Sequence, residues 1–222
     1  MEKKFILTDK FVINSFGIKL FQIKCTKSFK YAQKGDFGGY VEKEGNLDQK
    51  NDAWVSGNAR VFGNARVSSN ARVSGDAWVS DNARVSGDAW VSGNAWVSSN
   101  AWVSDNARVS GDAWVSGDAR VSGNAWVSGD ARVSGNAWVS GDADIENDNE
   151  HCGFDGFGSC NRHTHAYMTK EKKVEIICGC FRGSIEEFEK KVEETHSGTV
   201  YEKQYKSIIN VIKIKFGLTD FT

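Results

Sequence analysis

The chain has 222 residues, 40% of them hydrophobic, with 23 Gly, no Pro and a net charge of −1. Charge is balanced along its length: residues 1–51 carry ten Lys against six acids, 52–141 seven Arg against eight Asp, and 142–222 eleven basic against fifteen acidic residues. That balance excludes the basic footprint of a nucleic-acid binder, and no apolar run approaches the roughly 18 residues of a membrane-spanning helix.

Residues 1–45 read as a small β cap. Two extended segments, 11–14 and 18–23, flank Ser15-Phe16-Gly17, a plausible hairpin turn, and a third short run reaches Val41. The glycine-rich stretch 35–39 is followed by no Gly-Lys-Ser/Thr and no helix start. It reads as a turn into the next element, not as a phosphate cradle.

From Asp52 to Gly141 one six-residue phrase is repeated fifteen times: Asp/Asn, Ala, Arg/Trp, Val, Ser, then usually Gly. A degenerate sixteenth copy begins at Asp142, and all eight Trp lie in this block. Ala and Val are two apart and share one face of an extended backbone, whereas the Arg/Trp between them faces the other way. Gly with Asn or Asp supplies the corner. An apolar spacing of two then four makes no 3.6-residue stripe, so helix is excluded, and a period of six without Pro excludes collagen. The pattern predicts a parallel β-solenoid over residues 46–147, each coil burying its inner face by stacking on the next. Val41 and Leu47 are already six apart, but Leu47 and Val55 are eight apart. The first coil is therefore imperfect.

Residues 148–222 read as an α+β cap. A Gly- and aromatic-rich loop is expected over 148–163, then strands over 164–169 and 173–181 joined by the charged turn 170–172. Ser184-Ile185-Glu186-Glu187 is a capping box that starts a helix running to about Thr195, with Ile185, Phe188 and Val192 on its buried face. A second helix, about 200–216, places Tyr201, Tyr205, Ile208, Ile212 and Phe216 on one stripe, with Gly217 just past its end.

The phrase Val-Ser-Gly-Asn-Ala-Arg resembles the hexapeptide repeat of left-handed parallel β-helix proteins, aliphatic at the first position and small at the fifth. The resemblance implies a mainly β fold, a triangular coil of three hexads, left-handed winding and about five regular coils. The opening Gly38-Gly39-Tyr40-Val41-Glu42 with Asn46-Leu47, and the C-terminal string Cys178-Gly179-Cys180-Phe181, resemble parts of bacterial and phage proteins of this kind. Many members are CoA-dependent acyltransferases using a wall or loop His as general base and assembling as trimers. Others are γ-class carbonic anhydrases with three wall His ligands for zinc. Between residues 52 and 147 this chain has no His, so neither mechanism finds its base or its ligands, and no catalytic residue is assigned.

With eighteen residues per coil the outward positions sort into three stacks: Trp54, Arg72, Trp90, Arg108, Trp126, Asp144; Arg60, Trp78, Trp96, Trp114, Arg132; and Arg66, Arg84, Trp102, Arg120, Trp138. Trp78-Trp96-Trp114 is the one run of three aromatics. With Trp90 and Trp102 in the coil of Trp96, and Arg60 and Arg132 at the ends of the run, it is the candidate binding or interface surface. The corner columns read as an Asn ladder in which Asp residues are mostly kept apart.

The C-terminal Cys152, Cys160, His163, His165, Cys178 and Cys180 supply enough donors for a structural zinc, although their spacing matches no standard zinc motif. Buried free thiols and exposed imidazoles are the simpler reading, with no cofactor. Five Cys, an odd number, fit a reducing cytoplasm better than a disulfide framework. The expectation is a non-catalytic structural or binding solenoid, assembling as a homotrimer through its walls. The alternatives are a protein holding a nucleotide-like small molecule and an acyltransferase without the usual His.

Overall fold

The computed structural model describes residues 3–218. Strands β1 (Phe5–Ile13), β2 (Lys19–Cys25) and β3 (Phe37–Val41) form an antiparallel meander. Sixteen two-residue strands follow, from Trp54–Val55 to Asp144–Ile145, each the Arg/Trp-Val pair of one hexad except the last. The chain closes with β4 (His151–Phe157), β5 (Arg162–Met168), β6 (Val174–Cys178), β7 (Phe181–Gly183), α1 (Ile185–His196) and α2 (Val200–Lys215). No helix among the described residues is long and apolar enough to cross a membrane.

The repeats build a parallel β-solenoid of about six turns with three walls. The three stacks pair as the eighteen-residue period requires: Trp90 lies between Arg72 and Arg108 on the first wall, Trp96 between Trp78 and Trp114 on the second, Trp102 between Arg84 and Arg120 on the third. The first turn is irregular where the hexad spacing slips. Val41 pairs with Val61 and Leu47 with Val67, twenty residues on, whereas Val55 pairs with Val73 at eighteen. The second-wall sheet continues into β3, β2 and β1 and reaches eight strands. Almost every Ala and Val of the repeats has no solvent exposure. The core is uniform because only these two small side chains fit inside so narrow a coil.

Backbone bonds give the solenoid a direction. Each ladder N–H donates to a carbonyl of the following coil, as in Trp96 to Ala113 and Ser98 to Val115, both 2.9 Å. The N-terminal end therefore presents bare carbonyls and the C-terminal end bare N–H groups, and both need partners. At the first end the buried Lys4 ammonium donates to the Asn51 and Ala53 carbonyls at 2.5 and 2.7 Å. Burial lowers its pKa to about 8. At the other end carboxylates take the N–H groups: Asp148 Oδ1 from Arg132 at 2.7 Å, Glu150 Oε2 from Glu146 at 2.6 Å.

Several expectations are revised. β1 starts at Phe5, six residues before the expected strand, and Gly38 and Gly39 lie inside β3 instead of in a turn. A Cβ on Gly38 would sit 2.6 Å from the Val55 carbonyl, so these glycines permit close packing of β3 on the first coil. Residues 148–163 are not one loop: after a short 3-10 turn, 151–157 form β4, which pairs with β5, the strand that packs on the last coils. The expected strand 173–181 is broken at Gly179, where φ is +61°, into β6 and β7. The helices form as read, with Ile185, Phe188 and Val192 buried on α1 and Tyr205, Ile208 and Ile212 on α2.

Candidate functional site

The outward face of each wall is a column of rungs one coil apart. On the second wall Trp96 and Trp114 stack with ring centroids 5.4 Å apart and planes 8° from parallel, and Trp78 leans on Trp96 at 5.6 Å. Arg60 lies over Trp78 at 5.0 Å; on the first wall Arg72 lies over Trp90 at 4.6 Å. The repeat Ser has a function that spacing arguments missed: it accepts the indole N–H of the Trp sixteen residues on. Trp90, Trp96, Trp102, Trp114 and Trp126 donate in this way to Ser74, Ser80, Ser86, Ser98 and Ser110 at 2.9–3.4 Å. The acceptor due to Trp78 would be residue 62, where the repeat has Phe. Phe62 instead packs edge-on to Trp78 at 5.8 Å.

The walls divide into a covered and an open half. Phe16 at the β1–β2 hairpin tip reaches Phe62, Trp78 and Trp96 at 6.1–6.5 Å. Phe29 sits edge-on to Trp54, which is 4% exposed, and Tyr31 flanks Arg72 at 4.9 Å. The N-terminal segment thus shields the lower indoles. Trp102, Trp114, Trp126 and Trp138 are each 40–42% exposed, and they are spread over all three walls. Of the candidate surface, Trp90, Trp96 and Trp102 lie on three different sheets, as their three stacks require. Of the Trp78-Trp96-Trp114 run, Trp114 remains open. Arg60 stacks in the covered half, and Arg132 is exposed with its backbone N–H on Asp148.

The proposed zinc donors are separated by the register of the cap sheet. Residues directly opposed in an antiparallel sheet share a face. Cys152 opposes Ala166 and Cys178 opposes Thr164, on the side packed against α1 and α2. His151 opposes Tyr167, and His165 opposes Gly153 and Ile177, on the side facing the solenoid. Cys160 and Cys180 are exposed, outside the strands. Among the described residues no group of three or more His, Cys, Asp or Glu is gathered as a metal site. Burial pushes the Cys152 thiol up to about 11, and Cys178 packs inside the helix-side cluster near Thr164 and Tyr205.

The imidazoles do converge. His151 stacks on His165 at 5.3 Å, and His163 Nε2 lies 3.3 Å from His165 Nδ1. Asp155 Oδ1, 2.8 Å from His163 Nδ1, is held below its usual pKa by that contact. With the carboxylate accepting from His163 Nδ1, Nε2 of the same ring accepts from His165 Nδ1 and His165 Nε2 is left with a lone pair. That atom is buried without a partner, and burial lowers the His165 pKa well below the ordinary value. The array is a polar junction that runs from the exposed Asp155 to the buried His165.

The chain is a β-solenoid repeat protein. The family model of the YdcK Beta solenoid repeat matches residues 53–69, 65–81, 77–93, 83–99, 101–117, 115–129 and 125–141, a likeness that runs through the coils and reaches neither cap. No match appears among curated proteins.

Proposed function

We propose that the chain is a non-catalytic binding solenoid that assembles through the open upper half of its walls into a homotrimer. The observation that carries this is the asymmetry of indole cover: the chain's own N-terminal segment covers the lower indoles, and four upper ones stand 40–42% exposed. Exposed Trp is costly to leave in water and typical of contact surfaces. A cyclic trimer is heterologous, so each copy contributes two different surfaces and keeps a third free. The first and second walls, with Trp126 and Trp114, suit the contact. The third carries a groove of about 350 Å³ that close packing would leave as a void.

Hexapeptide kinship, left-handed winding, a cytoplasmic setting and a bacterial or phage source accompany this reading. An acyltransferase activity would need a general base on a coil wall; all four His lie outside the repeats, and His163 and His165 reach only the last coil, beside Asn136 and Trp138. Light scattering on eluting protein tests the assembly. The expected mass is three times the 24.5 kDa chain, falling toward one chain in Trp114→Gln/Trp126→Gln. A single-chain mass for the unaltered protein would refute the trimer.

A further inference from the structure

We propose that the third-wall groove binds a small planar aromatic anion, with the ring between Trp102 and Trp138 and the anionic group on Arg120. The groove, about 350 Å³, is lined by Trp102, Arg120 and Trp138 with Ser104, Ser122 and Asp105. It is formed within one chain and does not depend on self-association.

The second wall shows what an occupied middle rung looks like. There Trp96 sits between Trp78 and Trp114 at centroid distances of 5.6 and 5.4 Å. On the third wall the corresponding order is Trp102, Arg120, Trp138. Two coils separate these indoles by roughly 10 Å, so a ring midway lies about 5 Å from each, inside the range of stacked aromatic pairs. The rung between them carries Arg120, whose side chain is exposed and lines the groove; among the described residues it joins no ion pair and lies over no ring. The Arg60 and Arg72 guanidiniums, by contrast, stack on indoles.

The polar groups at the rim fit the same ligand. Trp102 is held in place by its N–H bond to Ser86 at 3.1 Å. Among the described residues Trp138 forms no equivalent bond to Ser122, so its indole N–H is free to donate. The one carboxylate in the lining, Asp105, already accepts from the Gly123 N–H at 3.1 Å. A guanidinium pairs with carboxylate and phosphate alike, so the ligand is defined as a ring bearing either group.

The test is calorimetric titration of the full chain with 2-naphthoate and AMP, each beside its neutral counterpart, 2-naphthamide and adenosine. At least one anion should bind at one site per chain, at least tenfold tighter than its neutral counterpart. Binding of naphthoate alone assigns an aromatic carboxylate, binding of AMP alone a nucleotide, and binding of both the shared chemistry. Arg120→Gln should weaken the anion at least tenfold, Arg120→Lys less, and Trp138→Ala at least fivefold. Arg66→Ala, on the same wall two coils before Trp102 and outside the groove, should leave binding unchanged. All four substitutions point outward from an unaltered Ala/Val core, and equal melting temperatures check that they fold. The proposal is overturned if neither anion binds, if neutral ligands bind equally well, or if Arg120→Gln and Trp138→Ala bind as the unaltered chain does. Failure of both anions to bind an unaltered chain of trimer mass refutes the groove and leaves the wall contacts standing.

Discussion

Single positions decide whether a coil closes. At Gly111 φ is +68°, and a Cβ would lie 2.8 Å from the backbone O and 2.9 Å from the backbone N of Gly129 in the next coil. Gly111→Ala combines left-handed strain of about 1–2 kcal/mol with a clash against main chain that cannot move alone. We expect a loss of at least about 2 kcal/mol, read as a lower melting temperature. Ser69 occupies an equivalent corner at φ +58°. There Ser69→Gly should stay within about 0.5 kcal/mol, because relief of strain offsets the greater freedom of the unfolded chain. The Asx ladder runs with the backbone: Asn58, Asn70, Asn94 and Asn100 donate to Asp76, Asp88, Asp112 and Asp118 of the following coil at 2.8–3.1 Å. Asp can only accept, so an Asp above an Asn extends the ladder and an Asp below ends it. The alternation of Asn and Asp was visible in the sequence, but its polarity was not.

Among the elements, the two ends are matched to the direction of the ladder, a lysine at the carbonyl end and carboxylates at the N–H end. Lys4→Met keeps the aliphatic stem and removes the donors to Asn51 and Ala53. Bare buried carbonyls cost about 1–3 kcal/mol, and hydrogen exchange should speed first in β1 and the opening coil. The C-terminal cap responds to pH through His165. Its folded pKa lies below the ordinary value of 6.5, so the unfolded state binds the proton first as pH falls. The stability that neutral His165 supplies is present above pH 6.5 and is lost as pH drops below it. Burial, opposed by Asp148 and reinforced by Lys215, lowers the pKa of the adjacent His151 as well, and His163 holds that of Asp155 down. Exchange in β4–β6, taken relative to the intrinsic amide rate at each pH, should rise as pH falls from 7.5 to 5, and His165→Gln should flatten that dependence. An unchanged pH profile in the variant would remove His165 from this role. The helices were legible because capping box and apolar stripe are local signals. β4 was missed because Gly153, Gly156 and Gly158 mask a strand that exists only by pairing with β5. The placing of the zinc donors on two faces was not legible for a related reason, since the faces of β4, β5 and β6 depend on a register that spacing does not state.

For the whole molecule, sequence period sets architecture almost completely. Columns sorted by eighteen reproduce the observed pairing rung by rung, because every coil carries the same inward Ala and Val. The division of the walls into covered and open halves was not legible. It depends on where Phe16, Phe29 and Tyr31 land after the meander folds back on the first coils. The lone Ser-to-Phe departure at residue 62 was its one trace. Repeat independence gives a further expectation: deleting residues 94–111, one full coil, should preserve the fold and both caps at a somewhat lower melting temperature. Deleting one hexad should also fold, with the caps turned by one wall relative to each other, and should disturb assembly. The same far-ultraviolet dichroism per residue in both variants, with an altered mass only in the second, is the expected result.

Assembly through two walls makes a distinct claim about each upper indole. Hydroxyl-radical footprinting of the full chain, read Trp by Trp in a mass spectrometer at concentrations above and below assembly, measures it directly. On assembly Trp114 and Trp126 should become as protected as Trp54, while Trp102 and Trp138 stay reactive. Equal reactivity of all four upper indoles at every concentration would contradict the account.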